Sequence, residues 1–109
     1  MPGIIKNDSE LESAISCGGE MAALFYSAWC PFCIRFLPVF EKHSKPGSGN
    51  FLRVLIDGMP STEDKYAIEV VPTVIFFKDG AVKRWLDGIL GAGLDEAKLT
   101  SFLKDCGLL

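Results

Sequence analysis

The chain has little with which to cross a membrane, grip a nucleic acid or hold a metal. Its longest apolar runs, such as residues 21–29 and 70–77, are far too short to span a bilayer. Lysine and arginine form no cluster and the net charge is −3, which argues against a nucleic-acid partner. There is one histidine, His43, and the four cysteines include only one closely spaced pair. Zinc usually takes four ligands, so Cys17, Cys106 and His43 would have to complete a structural site without a second pair, and no metal is expected. The first eight residues lack a basic region followed by an apolar stretch; no secretory signal is visible, and a cytoplasmic location is expected. No internal repeat, linker or low-complexity segment stands out.

Apolar residues make up 49% of the chain, and at 109 residues the whole of 1–109 is expected to be one domain. Such a chain buries roughly two-thirds of its unfolded surface and needs no staple to fold. Cysteine density is too low for a secreted disulfide scaffold, so a Cys-x-x-Cys pair reads as catalytic or metal-binding instead.

Residues 3–5 can form a short first strand. Ser9 and Glu12 have capping-box spacing at the start of a helix whose face is Leu11, Ala14 and Ile15, and which Gly18 and Gly19 end. Residues 21–26 are almost wholly apolar, as in a strand covered on both faces. A helix is predicted over 31–43, with Pro31 in its first turn and Pro38 kinking it. A loop by composition (45–50), a strand (52–57) and a short helix (61–68) follow. Residues 73–77 and 81–86 form a hairpin about Asp79-Gly80. A glycine-rich connection (88–93) leads to an amphipathic helix over 94–106. Early alternation implies parallel βαβ pairing and the late hairpin an antiparallel edge, so the class is α/β with a central mixed sheet.

The most informative run is Trp29-Cys30-Pro31-Phe32-Cys33. It places two thiols three positions apart where an apolar strand gives way to a helix. Unpaired N–H groups at a helix start favour a thiolate, the form that attacks disulfides. A pair of buried, inert cysteines is the plainer alternative. Farther along, Pro72 stands at the mouth of a buried strand, which is out of place for proline unless the geometry is special. A cis Val71–Pro72 bond is one answer, and an ordinary trans proline at a strand's first residue is the other.

Together these motifs resemble the thioredoxin family over nearly the whole length. Trp29-Cys30-Pro31-Phe32-Cys33 resembles the family's Trp-Cys-Gly-Pro-Cys, Pro38 its helix-kinking proline, Val54-Leu55-Ile56-Asp57 its third strand, and Val71-Pro72-Thr73 its cis-proline loop. Phe77-Lys78-Asp79-Gly80 resembles its Lys-Asn-Gly hairpin, and Gly88 the glycine of its last substrate-contacting loop. The resemblance implies a thioredoxin fold, with about five strands flanked by about four helices. It implies a monomeric thiol–disulfide oxidoreductase with no organic cofactor, acting on disulfide-containing protein substrates and recharged by a reductase or other electron donor. Cys30 would be the exposed nucleophile and Cys33 the buried resolving thiol. Pro72 would lie against the disulfide, and Trp29, Pro31, Phe32, Val71 and Gly88, with Ile89, would form the rim that receives an extended peptide.

Several residues depart from that pattern. Leu24 stands where thioredoxins carry a buried Asp, which leaves the proton of Cys33 to water or another group. Pro31-Phe32 replaces Gly-Pro; Cys-Pro-aromatic-Cys resembles glutaredoxins and Cys-Pro-His-Cys periplasmic disulfide oxidases. Arg53 lies near the family's buried Lys and lacks the obvious acidic partner, so it is expected to snorkel to the surface or to draw a proton from a cysteine. Cys17 and Cys106 are expected to be passive and half-buried, with a second redox pair as the alternative. His43 lies roughly 20 Å along a straight helix from Cys30, too far to activate it. The competing functions are an oxidase or isomerase of the same fold, and a binding module whose dithiol is incidental.

Overall fold

A computed structural model describes residues 4–43, 51–89 and 93–108. In chain order it contains α1 (Asp8–Ser16), β1 (Glu20–Tyr26), α2 (Pro31–His43), β2 (Phe51–Leu55), α3 (Pro60–Lys65), β3 (Thr73–Lys78), β4 (Ala81–Leu86) and α4 (Glu96–Asp105). The sheet order is β2-β1-β3-β4. β1 pairs in parallel with β2, Leu24 opposite Arg53, and antiparallel with β3, Leu24 opposite Val74. β3 and β4 form the expected hairpin, with a register irregularity at Phe76/Phe77, and Asp79 and Gly80 at its turn both have positive φ.

Among the described residues the sheet has four strands rather than about five. Of the first, expected over 3–5, residue 3 lies outside the described residues and Ile5 makes one bridge: it donates its N–H to the Arg53 carbonyl (2.8 Å) and accepts from Leu55 N–H (2.9 Å). The next amide, of Lys6, turns away to the Glu10 carboxylate (3.1 Å), and helix capping takes over from pairing. The cap itself is Asn7, whose side chain accepts from Glu10 N–H at 2.8 Å, two residues before the expected Ser9. Asn caps a helix as well as Ser does, and it comes first in the chain. α3 is shorter than predicted. Pro60 supplies its fixed φ at the start, and positive φ at Ala67 follows its end.

β1 is buried almost throughout, and its alternating side chains feed two cores. Met21, Ala23 and Phe25 pack with Leu11 and Ile15 of α1 and with Met59 and Ile68. Ala22, Leu24 and Tyr26 pack with Cys33, Phe36 and Phe40 of α2 and with Leu99, Phe102 and Leu103 of α4. Each large apolar side chain so buried contributes about 1.5–3 kcal/mol. The layered result holds the N-terminal end of α2 over the ends of β1 and β3. Among the described residues no helix is long and apolar enough to cross a membrane.

Candidate active site

β1 ends at Tyr26, and Ser27–Trp29 turn the chain so that Cys30 immediately precedes α2. The Cys30 carbonyl accepts from Ile34 N–H at 3.0 Å, which sets Cys30 at the first helical turn. Its thiol is partly exposed and donates to the Val71 carbonyl at 3.8 Å. Val71–Pro72 is cis and Pro72 is buried, so the dithiol and the proline loop meet as the sequence motifs imply.

Cys33, one turn into the helix, has no exposed surface and packs with Leu24, Tyr26, Phe36 and Val74. Burial pushes its thiol up to about 12; Ser27 N–H, donating to its sulfur at 3.4 Å, works the other way, while Cys30 and the Asp57 carboxylate add to the rise. Both oxygens of Asp57 are engaged, one by Ser27 Oγ–H (2.7 Å) and the other by Ala28 N–H (3.0 Å). Ser27 Oγ in turn accepts from Trp29 N–H at 3.2 Å. This clamp fixes the turn that carries Cys30. Sequence reading missed both members; the available signal was position, since Asp57 follows a parallel strand at its carboxyl end, where α/β sheets gather their sites.

Gly88 lies where the sequence places it. A Cβ there would sit 2.4 Å from the Pro72 carbonyl oxygen, so only glycine lets this loop close on the proline. Gly93 makes a comparable fit that no sequence signal announced. It is buried, has φ +75, and a Cβ on it would come within 2.8 Å of Phe32 Cβ. Ile89 and Gly93 bond to each other across the loop (N–H to O 3.0 and 2.7 Å), so the ends of the glycine-rich connection are tied together; residues 90–92 lie outside the described set. Trp29 (86% exposed), Ile34 (59%) and Ile89 (47%) give the site an apolar surround, and Pro31 is exposed beside Cys30.

Three expectations need correction or completion. Arg53 does have an acidic partner: its guanidinium bonds Glu41 of α2 and is mostly covered. The partner sits on the helix packed across the sheet rather than on the neighbouring strand, where Leu24 stands. Cys17 and Cys106 are not alike. Cys17 is exposed at the end of α1, its thiol donating to the Ser13 carbonyl at 3.4 Å, while Cys106 is buried at the end of α4 and pushed up to about 11 by that burial. Their helices cover opposite faces of the sheet, which separates them as a redox pair. His43 meets Glu96 of α4 at 3.3 Å, and Lys42 meets the same carboxylate at 2.9 Å and holds it below the usual range, so this end of α2 serves helix docking. No group of three or more His, Cys, Asp or Glu among the described residues is arranged to hold a metal ion.

A dithiol at a helix start, one sulfur reachable and the other sealed, facing a cis-proline at the head of a β-hairpin, defines the class of thiol–disulfide oxidoreductases. The sequence profile of the thioredoxin family matches residues 4–105, and the chain belongs to that family, whose members are protein-disulfide oxidoreductases. It is 33% identical over 94 residues to an H-type thioredoxin of Oryza sativa subsp. indica, covering 85% of this chain and 75% of that one. It is 36% identical over 75 residues to a thioredoxin of Staphylococcus epidermidis, covering 67% and 71%. Among solved structures it resembles the thioredoxin of Plasmodium falciparum (TM-score 0.82, 25% identity, 95% and 98% covered) and that of Schistosoma mansoni (TM-score 0.79, 27%, 94% and 93%).

Proposed function

We propose that the chain reduces protein disulfides through Cys30 and Cys33. Cys30, as thiolate, attacks one sulfur of a target disulfide; a new S–S bond forms, the target bond breaks, and the other target sulfur leaves with the electron pair and takes up a proton. Cys33 then loses its proton and attacks Cys30 sulfur, the mixed disulfide breaks, and the reduced target departs. The chain is left with a Cys30–Cys33 disulfide, which a reductase dithiol restores with two electrons. The second step is intramolecular, so the high effective concentration of Cys33 favours it over attack by outside thiols.

Trp29, Pro31, Phe32, Val71 and Gly88 line the path of an extended target, with Pro72 beneath. A reducing compartment such as the cytoplasm is the setting that this direction of electron flow requires. The observation that carries the reading is the contrast in exposure: the Cys30 thiol is partly open beside the Val71 carbonyl, while Cys33 is 0% exposed behind it.

Insulin reduction, coupled to titration of the dithiol in glutathione buffers, tests it. Turnover with a potential below the cytosolic glutathione poise supports a reductant. A potential close to that of disulfide oxidases, roughly −120 mV, would reverse the direction of electron flow. Full biological activity in Cys30→Ser would favour a binding module.

A further inference from the structure

The carboxylate beside the turn, Asp57, is held by Ser27 and Ala28, and Arg53 is bonded to Glu41. Arg35 differs. It is exposed, it forms none of the ion pairs found among the described residues, and its guanidinium carbon stands 5.0 Å from the centroid of the Phe32 ring. The two residues are three apart on α2, the spacing that lets helix side chains meet.

Phe32 is half-buried, with the Gly93 backbone packed against the base of its ring. Backbone at Gly93 presses on it so closely that an added Cβ would stand 2.8 Å from its Cβ and 3.3 Å from its Cγ. An arginine stacked on a held ring is partly ordered before anything binds, so less side-chain entropy is lost when it takes a partner. Phe32 stands between the two cysteines in the chain, so this cation lies on α2 within about a turn and a half of Cys30.

We propose that Arg35, stacked on Phe32, is a specificity-determining residue that favours targets carrying a carboxylate side chain next to the cysteine that Cys30 attacks. The proposal rests on Cys30 being the nucleophile. The chemical class is thus a disulfide within an acidic stretch of peptide. The interaction is at the surface and salt-sensitive, which sets its size.

Two synthetic disulfide peptides test it, identical except for Glu or Lys on both sides of the cysteine. Their reduction rates are compared in single turnovers by the native chain, Arg35→Met and Arg35→Glu, each variant checked for an unchanged melting transition. Relative to the native chain, the Glu-to-Lys rate ratio is expected to fall about threefold in Arg35→Met and about tenfold in Arg35→Glu at low salt. Both shifts should shrink toward nothing in about 1 M salt. The same ratio in all three proteins, with brisk reduction of both peptides, overturns the role of Arg35 and leaves the dithiol mechanism standing. Failure of the native chain to reduce either peptide overturns the reductase reading and this inference with it.

Discussion

The two sulfurs of the site lie one helical turn apart and occupy different media. Cys30 belongs to a rim with Trp29 and Ile89, wet and apolar at once, where a target can be met. Cys33 belongs to a floor with Leu24, Phe36 and Val74, from which water is excluded. One turn of α2 separates a sulfur that solvent can reach from one sealed behind it. In the proposed mechanism, partition between solvent and core, rather than any difference in the residues, assigns the two roles.

The strongest way to break the pair is Cys33→Ser. Attack by Cys30 survives, release does not, and the mixed disulfide should accumulate with turnover down by about a hundredfold or more; undiminished turnover by mass-resolved assay would falsify the division of roles. Next comes pH. With Cys33 pushed up to about 12, its thiolate fraction grows about tenfold per unit, so the release rate should climb from pH 7 to 9. The linked effect on stability has the opposite sense. The neutral thiol is favoured in the folded chain, so its contribution is complete below roughly pH 8.5 and is lost as pH rises toward about 12. Melting temperatures across that window should decline more steeply for the native chain than for Cys33→Ser.

Gly88→Ala sharpens the comparison from the rim. The new methyl must displace the Pro72 carbonyl, and reduction of protein targets should slow about tenfold while the fold persists. Leu24→Asp alters the floor. It puts a carboxylate beside Cys33 that can take its proton, and release of the mixed disulfide should quicken several-fold at a cost of about 2 kcal/mol or more in stability. No gain in the release rate would show that the proton has another route. The mildest change is Glu41→Gln, which loosens Arg53. Stability should fall by about 1 kcal/mol or less, with insulin reduction unaltered.

Much of this was legible in the chain. Cys-x-x-Cys at a strand-to-helix junction, Pro72 heading an apolar run and Asp79-Gly80 between two strands are local signals, and each fell where it was expected. What was not legible was non-local. The carboxylate of Asp57 reaches Ser27 across thirty residues of sequence separation, and Gly93 presses on Phe32 from a loop that composition marks only as glycine-rich. Arg53 has Leu24 opposite it on the neighbouring strand, and its acidic partner, Glu41, comes from the helix packed across the sheet. Composition extends the first strand over residues 3–5; residue 3 lies outside the described set, Ile5 pairs, and past it the Lys6 amide turns to the Glu10 carboxylate of the capped helix.

The outer hairpin strand has a bearing on how the protein behaves in a crowded solution. β4 is an open margin of the sheet, and open margins invite other chains to add themselves. Here that margin displays Lys83 and Arg84, both exposed, and its pairing with β3 slips at Phe76/Phe77. Charged side chains and an irregular ladder are features that blunt such an edge. Charge and irregular pairing at this margin thus guard an apolar-rimmed molecule against edge-to-edge growth of its sheet.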